Sequence, residues 1–280
     1  AAGGACVQCV LGSHCGSLVC DRTGNQCEAE ADIIYVDGAG GADTGSCPQA
    51  SPCETIAYAL GRVGSGRSIV HVAAGTYAES VTVDGNVPVP VRLVGAGAAV
   101  TEVNPLDDNV PGLLVQNQAD VTVEGLRFTG ATDAAGGDGV RCESQGSSVT
   151  LLAVEVSGNE ATGLEASNCT VTVSQSTLSG NAGGGLQTTG GAFTIENNFI
   201  VDNGDTSLAG GGVDVSNGTD PSFFRFNTVA GNIAATGGGA AVRCFRAGVT
   251  VTSNVVWGNT PATQVSGNCA WSYSDVQGGP

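Results

Sequence analysis

From Ile69 onward, apolar and polar residues alternate in short runs that end in glycine or asparagine, the pattern of half-buried strands. Six runs align: VTVEGLRFTGA from 121, VTLLAVEVSGN from 149, VTVSQSTLSGN from 171, FTIENNFIVDN from 193, SFFRFNTVAGN from 222 and VTVTSNVVWGN from 249. Their terminal asparagines, Asn159, Asn181, Asn203, Asn232 and Asn259, are spaced 22, 22, 29 and 27 residues apart, and the extra residues fall in glycine-rich inserts. A constant core with variable loops marks a coil that winds once per repeat. A further short strand follows each loop: GVRC at 139, GLEA at 163, GLQT at 185, GVDV at 212 and AVRC at 241. Three strand segments per turn predict an all-β, three-sided parallel β-helix from about residue 69.

Each alignment column then becomes a ladder with rungs about 4.8 Å apart. Val121, Val149, Val171, Phe193 and Val249, with the neighbours two residues on (Val123, Leu151, Val173, Ile195, Phe224 and Val251), are expected to point inward. The terminal asparagines, and a second column of Asn198, Asn227 and Asn254, are expected to bond along the stack at the corners, where asparagine tolerates left-handed backbone angles. Arg141, Glu165, Gln187, Asp214 and Arg243 form an outward column with opposite charges on neighbouring turns, read as a salt ladder. The outward row Thr122, Thr150, Thr172, Thr194 and Thr250 resembles an ice-binding face, but Phe223 interrupts it and a column of mixed charge runs beside it. Threonine is also a common exposed strand residue.

Before the repeats, the strand IIYV spans 33 to 36, and SPCETIAYALGRV predicts a short amphipathic helix over about 52–62. Ser51 stands as N-cap, Pro52 at N1 and Glu54 at N3, with Ile56, Ala59, Leu60 and Val63 on one face. Residues 1–31 read as a disulfide-rich segment ending in an acidic linker, Glu28 to Asp32, and 32–280 as the β-helix.

Eleven cysteines indicate an oxidising, extracytoplasmic compartment. Cys142 and Cys244 share a column four turns apart, too far to bond, and Cys169 and Cys269 are read as sharing another. That leaves Cys142 with Cys169 and Cys244 with Cys269, while Cys47 with Cys53 would close the loop before the helix. Cys6, Cys9, His14 and Cys15 also make a zinc set, though one lacking the usual separated second pair. The odd number among the first five cysteines is attributed to a partner lost upstream.

The chain carries a net charge of -17, its nine basic residues are all arginine, and 45 of its 280 residues are glycine. Nucleic acid and anionic membranes are poor partners for such a surface, and no apolar run is long enough to span a bilayer.

YVDGAGGADTGSCPQASPCETIAYAL, IVHVAAGTYAESVTV, VPVRLVGAG, the repeats and SYSDVQGG together resemble secreted bacterial right-handed parallel β-helix repeat proteins of the pectin-lyase-like superfamily over residues 33–280. The cysteine-rich start is similar to segments that precede domains in secreted or surface lipoproteins of Gram-negative bacteria. The resemblance implies a right-handed coil, a helix at 52–62 plugging its N-terminal end, and an extracellular or outer-surface location. It does not imply one activity.

Polygalacturonase-like sites combine acidic residues with histidine and lysine. This chain has no lysine, and His14 and His71 lie outside the repeats. The phenylalanine-rich aspartate motif and paired glutamines of pectin methylesterases are missing, and Asp220-Pro221 is not followed by the histidine and glutamate of alginate epimerases. Asp202, Asp205 and Asp214, with Arg225 or Arg243, could be assembled into a calcium-dependent lyase site. The favoured expectation is a non-catalytic β-helix that binds glycans or other surfaces and requires no cofactor. The alternative is a carbohydrate-active enzyme, a calcium-dependent polysaccharide lyase acting on an acidic polysaccharide.

Overall fold

The computed structural model describes residue 9 and residues 12–21, 24–207, 210–216, 221–235, 240–245, 248–261 and 263–279. Cys6 and Asp220 lie outside the described residues. The chain winds into a solenoid walled by a ten-stranded, a nine-stranded and an eight-stranded sheet, and successive strands of each sheet come from successive turns. Pairing within the three sheets is parallel, as between Asp120–Glu124 and Ser148–Leu152, Arg127–Thr129 and Glu155–Ser157, and Val140–Glu143 and Leu164–Ser167. Val121, Val149, Val171 and Phe193 stack in register, as do Val123, Leu151, Val173 and Ile195. These side chains are buried in one continuous core that runs the length of the coil.

Asparagine organises both ladders. Each Oδ1 in the column Asn181, Asn203, Asn232 and Asn259 accepts the backbone N–H and the side-chain Nδ2–H of the asparagine one turn earlier, at 2.8 to 3.2 Å. Gln264 ends the column by offering Oε1 to Asn259. Asn198, Asn227 and Asn254 repeat the arrangement, and serine caps both ends: Ser176 donates its N–H to Asn198 Oδ1, and Ser274 Oγ accepts from Asn254. The left-handed backbone expected at the asparagines belongs instead to the residue before each one. These are Gly158, Gly180, Asp202, Gly231 and Gly258 in one column, and Asn197, Phe226 and Ser253 in the other. The ladder asparagines use their side chains for bonding, and the preceding residue makes the corner. Just beyond, a β-carbon at Gly139, Gly163 or Gly185 would fall 2.6 to 2.9 Å from a carbonyl oxygen of the next turn, so close approach to the ladder accounts for these glycines.

The coil starts within the expected 32–280 span but ahead of the repeat pattern read from about residue 69, because Ile33–Val36 pairs in parallel with Ile69–Val72. The N-terminal end departs from expectation in two ways. The helix spans only Ile56–Leu60, with Thr55 as N-cap accepting from the Tyr58 N–H. Ser51 and Pro52 are not its start, because the chain leading into the helix is committed to the sheet: Cys53 bridges Val36, donates to Tyr35 O and accepts from the Asp37 N–H. Asp43 holds the Glu54 and Thr55 N–H groups, and the Glu79 carboxylate those of Ile56 and Ala57. Ile56, Ala59 and Leu60 are buried against the first turns and close that end of the core. Finally, the cysteine-rich segment lies against the outer face of the ten-stranded sheet. Arg92 ties it down through Glu28, in the stretch expected to be a linker, and through the Cys20 carbonyl, while Tyr35 donates to Ser17 O.

The disulfides Cys47–Cys53, Cys142–Cys169 and Cys244–Cys269 form as expected. One step of the reasoning is corrected. Cys269 stands in the Val249 column, since Thr250 pairs with Ala270, whereas Cys169 lies two residues before Val171, so these cysteines do not share a column. Cys9–Cys20 and Cys15–Cys27 are also bonded. Their sulfurs are therefore spent, and the zinc set is not formed.

Asn203→Ala should cost about 3 kcal/mol or more in chemical denaturation, because it orphans both buried donors of Asn181 at about 1–3 kcal/mol each. Thr188 has a buried hydroxyl without a hydrogen-bond partner, in a column flanked by Ala166 and Val215. Thr188→Val, which keeps the shape and removes that hydroxyl, should therefore raise stability by about 1 kcal/mol in the same assay.

Candidate functional site: a carboxyl pair and an aromatic face

The outward columns form in the expected register. Their charges are consumed between turns. Arg243 pairs with Asp214 at 2.9 Å and Arg225 with Glu196 at 2.7 Å, while Arg127 bridges Glu102 and Glu155. Arg92 holds Glu124 at 2.7 Å. Arg141 differs from the expected salt ladder. It contacts Glu165 only at 3.7 Å, and its main partner is Asp138, at 2.5 and 2.7 Å.

Asp138 is the most deeply placed acid of this group, 1% exposed, in the glycine-flanked turn before Val140–Glu143. Its Oδ1 accepts the Thr162 N–H at 2.9 Å. Glu165, on the neighbouring strand, hydrogen-bonds to it. Burial pushes the Glu165 carboxyl up, the charge of Asp138 and the hydrogen bond add to this, and Arg141 opposes it. Two carboxyl groups, one of them with its pKa raised, thus lie beside an arginine, next to a hollow of about 250 Å³ that Glu143 and Ser167 also line. Sequence reading missed Asp138 because it lies in a loop, outside the repeat columns. A lone acid between glycines directly before a repeat strand was the available signal.

The expected acidic trio is not brought together in this way. Asp202 occupies a left-handed corner, Asp205 caps the Ser207 N–H in the following loop, and Asp214 lies mid-strand against Arg243 with its pKa raised by burial. Among the described residues, the only set of three potential ligands within 4.8 Å of one another is Cys9, Cys15 and Cys27, all in disulfides.

A second feature occupies the later turns of the nine-stranded face. One outward column reads Glu102, Arg127, Glu155, Thr177, Phe199, Thr228, Val255, Asp275, and thus passes from charged rungs to less polar ones before it ends on an acid. The next outward column brings Trp257 beside it. Phe226 and Tyr273 project at the corner that leads into this face. Phe199, Phe226, Val255, Trp257 and Tyr273 are all exposed, Tyr273 at 93%. Trp257 and Tyr273 were legible as late aromatics. Phe199 and Phe226 were hidden by being read as repeat positions, where the adjacent rungs are Thr177 and Thr228 for the first and Asn197 and Ser253 for the second.

The family model "Right handed beta helix region" matches residues 111–277, more than half of the chain. The chain belongs to the right-handed β-helix family. No curated protein matches this β-helix protein. Two solved structures of an Aspergillus niger pectin methylesterase, one deglycosylated and one penultimately deglycosylated, are similar to it at 14% identity. Their TM-scores are 0.47 and 0.46, covering 89% and 88% of this chain and 85% and 90% of theirs. Likeness at that level assigns no reaction to the β-helix protein. Among its described residues, no helix is long and apolar enough to cross a membrane.

The folded state holds the Glu165 proton more tightly than the unfolded chain does. The stabilisation this gives is complete below the ordinary value of 4.5 and is lost as pH rises through the raised one. Glu165→Gln, which cannot ionise, should lose less stability than wild type between about pH 4 and about pH 7.5. Equal losses in urea titrations at the two pH values would contradict the raised Glu165 pKa.

Proposed function

We propose that this protein is an extracellular or outer-surface β-helix that binds uncharged glycans on the late turns of its nine-stranded face, without turning them over. The observation that carries this reading is the exposed set Phe199, Phe226, Val255, Trp257 and Tyr273. Exposed apolar patches mark interaction surfaces, and aromatic rings offer flat faces to the C–H side of a sugar while keeping a polar edge wet. Charge favours uncharged polymers: the net charge is -17, and Arg92, Arg127, Arg141, Arg225 and Arg243 are already paired with carboxylates. A uronate chain would meet repulsion at this face, where the described arginines Arg127 and Arg225 are already held by carboxylates. The disulfides support the oxidising location. No metal takes part in this reading.

The Asp138–Glu165–Arg141 group favours a second reading, a carbohydrate-active enzyme. A carboxyl whose pKa is raised, beside a second carboxyl, is suited to acid–base chemistry on a glycosidic or ester linkage. The pair lies on the eight-stranded face, whereas the aromatic patch lies on the nine-stranded face. The patch is thus not built around it.

Calorimetric titration with neutral hexasaccharides of the cellulose, xylan and mannan types, alongside oligogalacturonate, separates the two readings. The expected outcome is binding of at least one neutral oligomer, weakened about tenfold or more by Trp257→Ala with Phe199→Ala, unchanged in chelator, and with no new chain ends or unsaturated product. Failure of the whole panel to bind would overturn the glycan reading. Product formation abolished by Glu165→Gln would establish the enzyme instead.

A further inference from the structure

Between the cysteine-rich segment and the outer face of the ten-stranded sheet lies a cavity of about 430 Å³, a volume typical of small-molecule sites. Val94 and Gly97 contribute to its floor, and Leu18 and Cys20 to its roof. The Cys9–Cys20 and Cys15–Cys27 disulfides hold the roof segment together. His71 lines this cavity and is only 5% exposed. Among the described residues its imidazole makes no hydrogen bond, and its ring contact is with Tyr35, centroid to centroid 5.7 Å. Burial lowers its pKa to about 4, so near pH 7 the ring is neutral and offers one donor and one acceptor nitrogen. Buried polar side chains are normally satisfied, and the strand does not demand histidine here, since Tyr35 and Val94 occupy the same column. Among the described residues, the other titratable group on the cavity wall, Glu124, pairs with Arg92 at 2.7 Å.

We propose that the cavity binds a small, uncharged, largely apolar molecule bearing a hydroxyl group, and that His71 is its hydrogen-bonding anchor. Largely apolar walls, with Ser13 among them, supply the body of the site, and the unpartnered imidazole supplies the polar contact that fixes orientation. This site lies on a different face from the aromatic patch and shares no residue with it, so either reading can fail without the other.

Phenol and toluene, matched in shape and differing in the hydroxyl, are suitable probes for the full oxidised chain. His71 ring signals can be assigned by eliminating those of His14 with His14→Gln. Phenol should shift the His71 imidazole resonances saturably and bind about tenfold or more tightly than toluene. Leu18→Trp, which fills the cavity from the roof, should abolish binding, and His71→Phe should bind the two probes alike. His71 signals unmoved at saturating phenol, or a tenfold phenol preference retained by His71→Phe, would overturn the proposal. If a variant fails to fold, the wild-type titration decides on its own.

Discussion

The interaction on which the coil depends is the pairing of one asparagine amide with the next along the solenoid. The amide suits this place because it carries an acceptor and two donors. Its oxygen takes both N–H groups of the turn before, while its nitrogen also reaches a backbone carbonyl, as Asn181 does to Val156 O at 3.0 Å and Asn232 to Ile200 O at 2.9 Å. Aspartate could not donate, and serine is too short to bridge two donors and a carbonyl. Serine therefore appears at the ends of a ladder, where one side of the bonding is no longer needed. Because every amide group is buried and satisfied, losing one rung leaves its neighbours unpaired in a low-dielectric interior.

That constraint also explains where variation is allowed. The insertions between turns leave the corners and inward columns untouched: Asn181 and Asn203 are 22 residues apart and Asn203 and Asn232 are 29 apart, yet the contacts between rungs are the same. Outward columns are free to change character turn by turn. The early turns of the nine-stranded face carry Glu102, Arg127 and Glu155 as an ion ladder, and the later ones carry Phe199, Val255 and Trp257. One scaffold thus presents a self-neutralised surface on its early turns and an aromatic one, ending on Asp275, on its late turns.

The repeated part of the fold was legible in the sequence because a solenoid converts alignment into contact. The inward valines and both asparagine columns could be read from spacing; three disulfide pairs were reached too, although Cys169 and Cys269 do not share the column assumed for them, and Arg141 turned from the expected Glu165 to Asp138. What escaped was non-repetitive. The helix start was misplaced because Ser51, Pro52 and Glu54 make a plausible cap locally, while Cys53 is claimed by pairing with Ile33–Val36. The attachment of the cysteine-rich segment through Arg92 joins residues far apart in the chain with no periodic signal. For the candidate sites, Trp257 and Tyr273 were visible as aromatics, but the partnership of Asp138 with Glu165 and the enclosure of His71 arise from loops folding over the sheets.

Hydrogen exchange of the asparagine side chains tests the ladder most directly. In amide-resolved NMR, the Nδ2–H groups of Asn181, Asn203 and Asn232 should exchange as slowly as backbone amides in the adjoining strands, because each is buried and bonded to the next rung. Exchange of these protons at the rate of a free primary amide, with the strand amides still protected, would show that the coil does not rest on asparagine stacking.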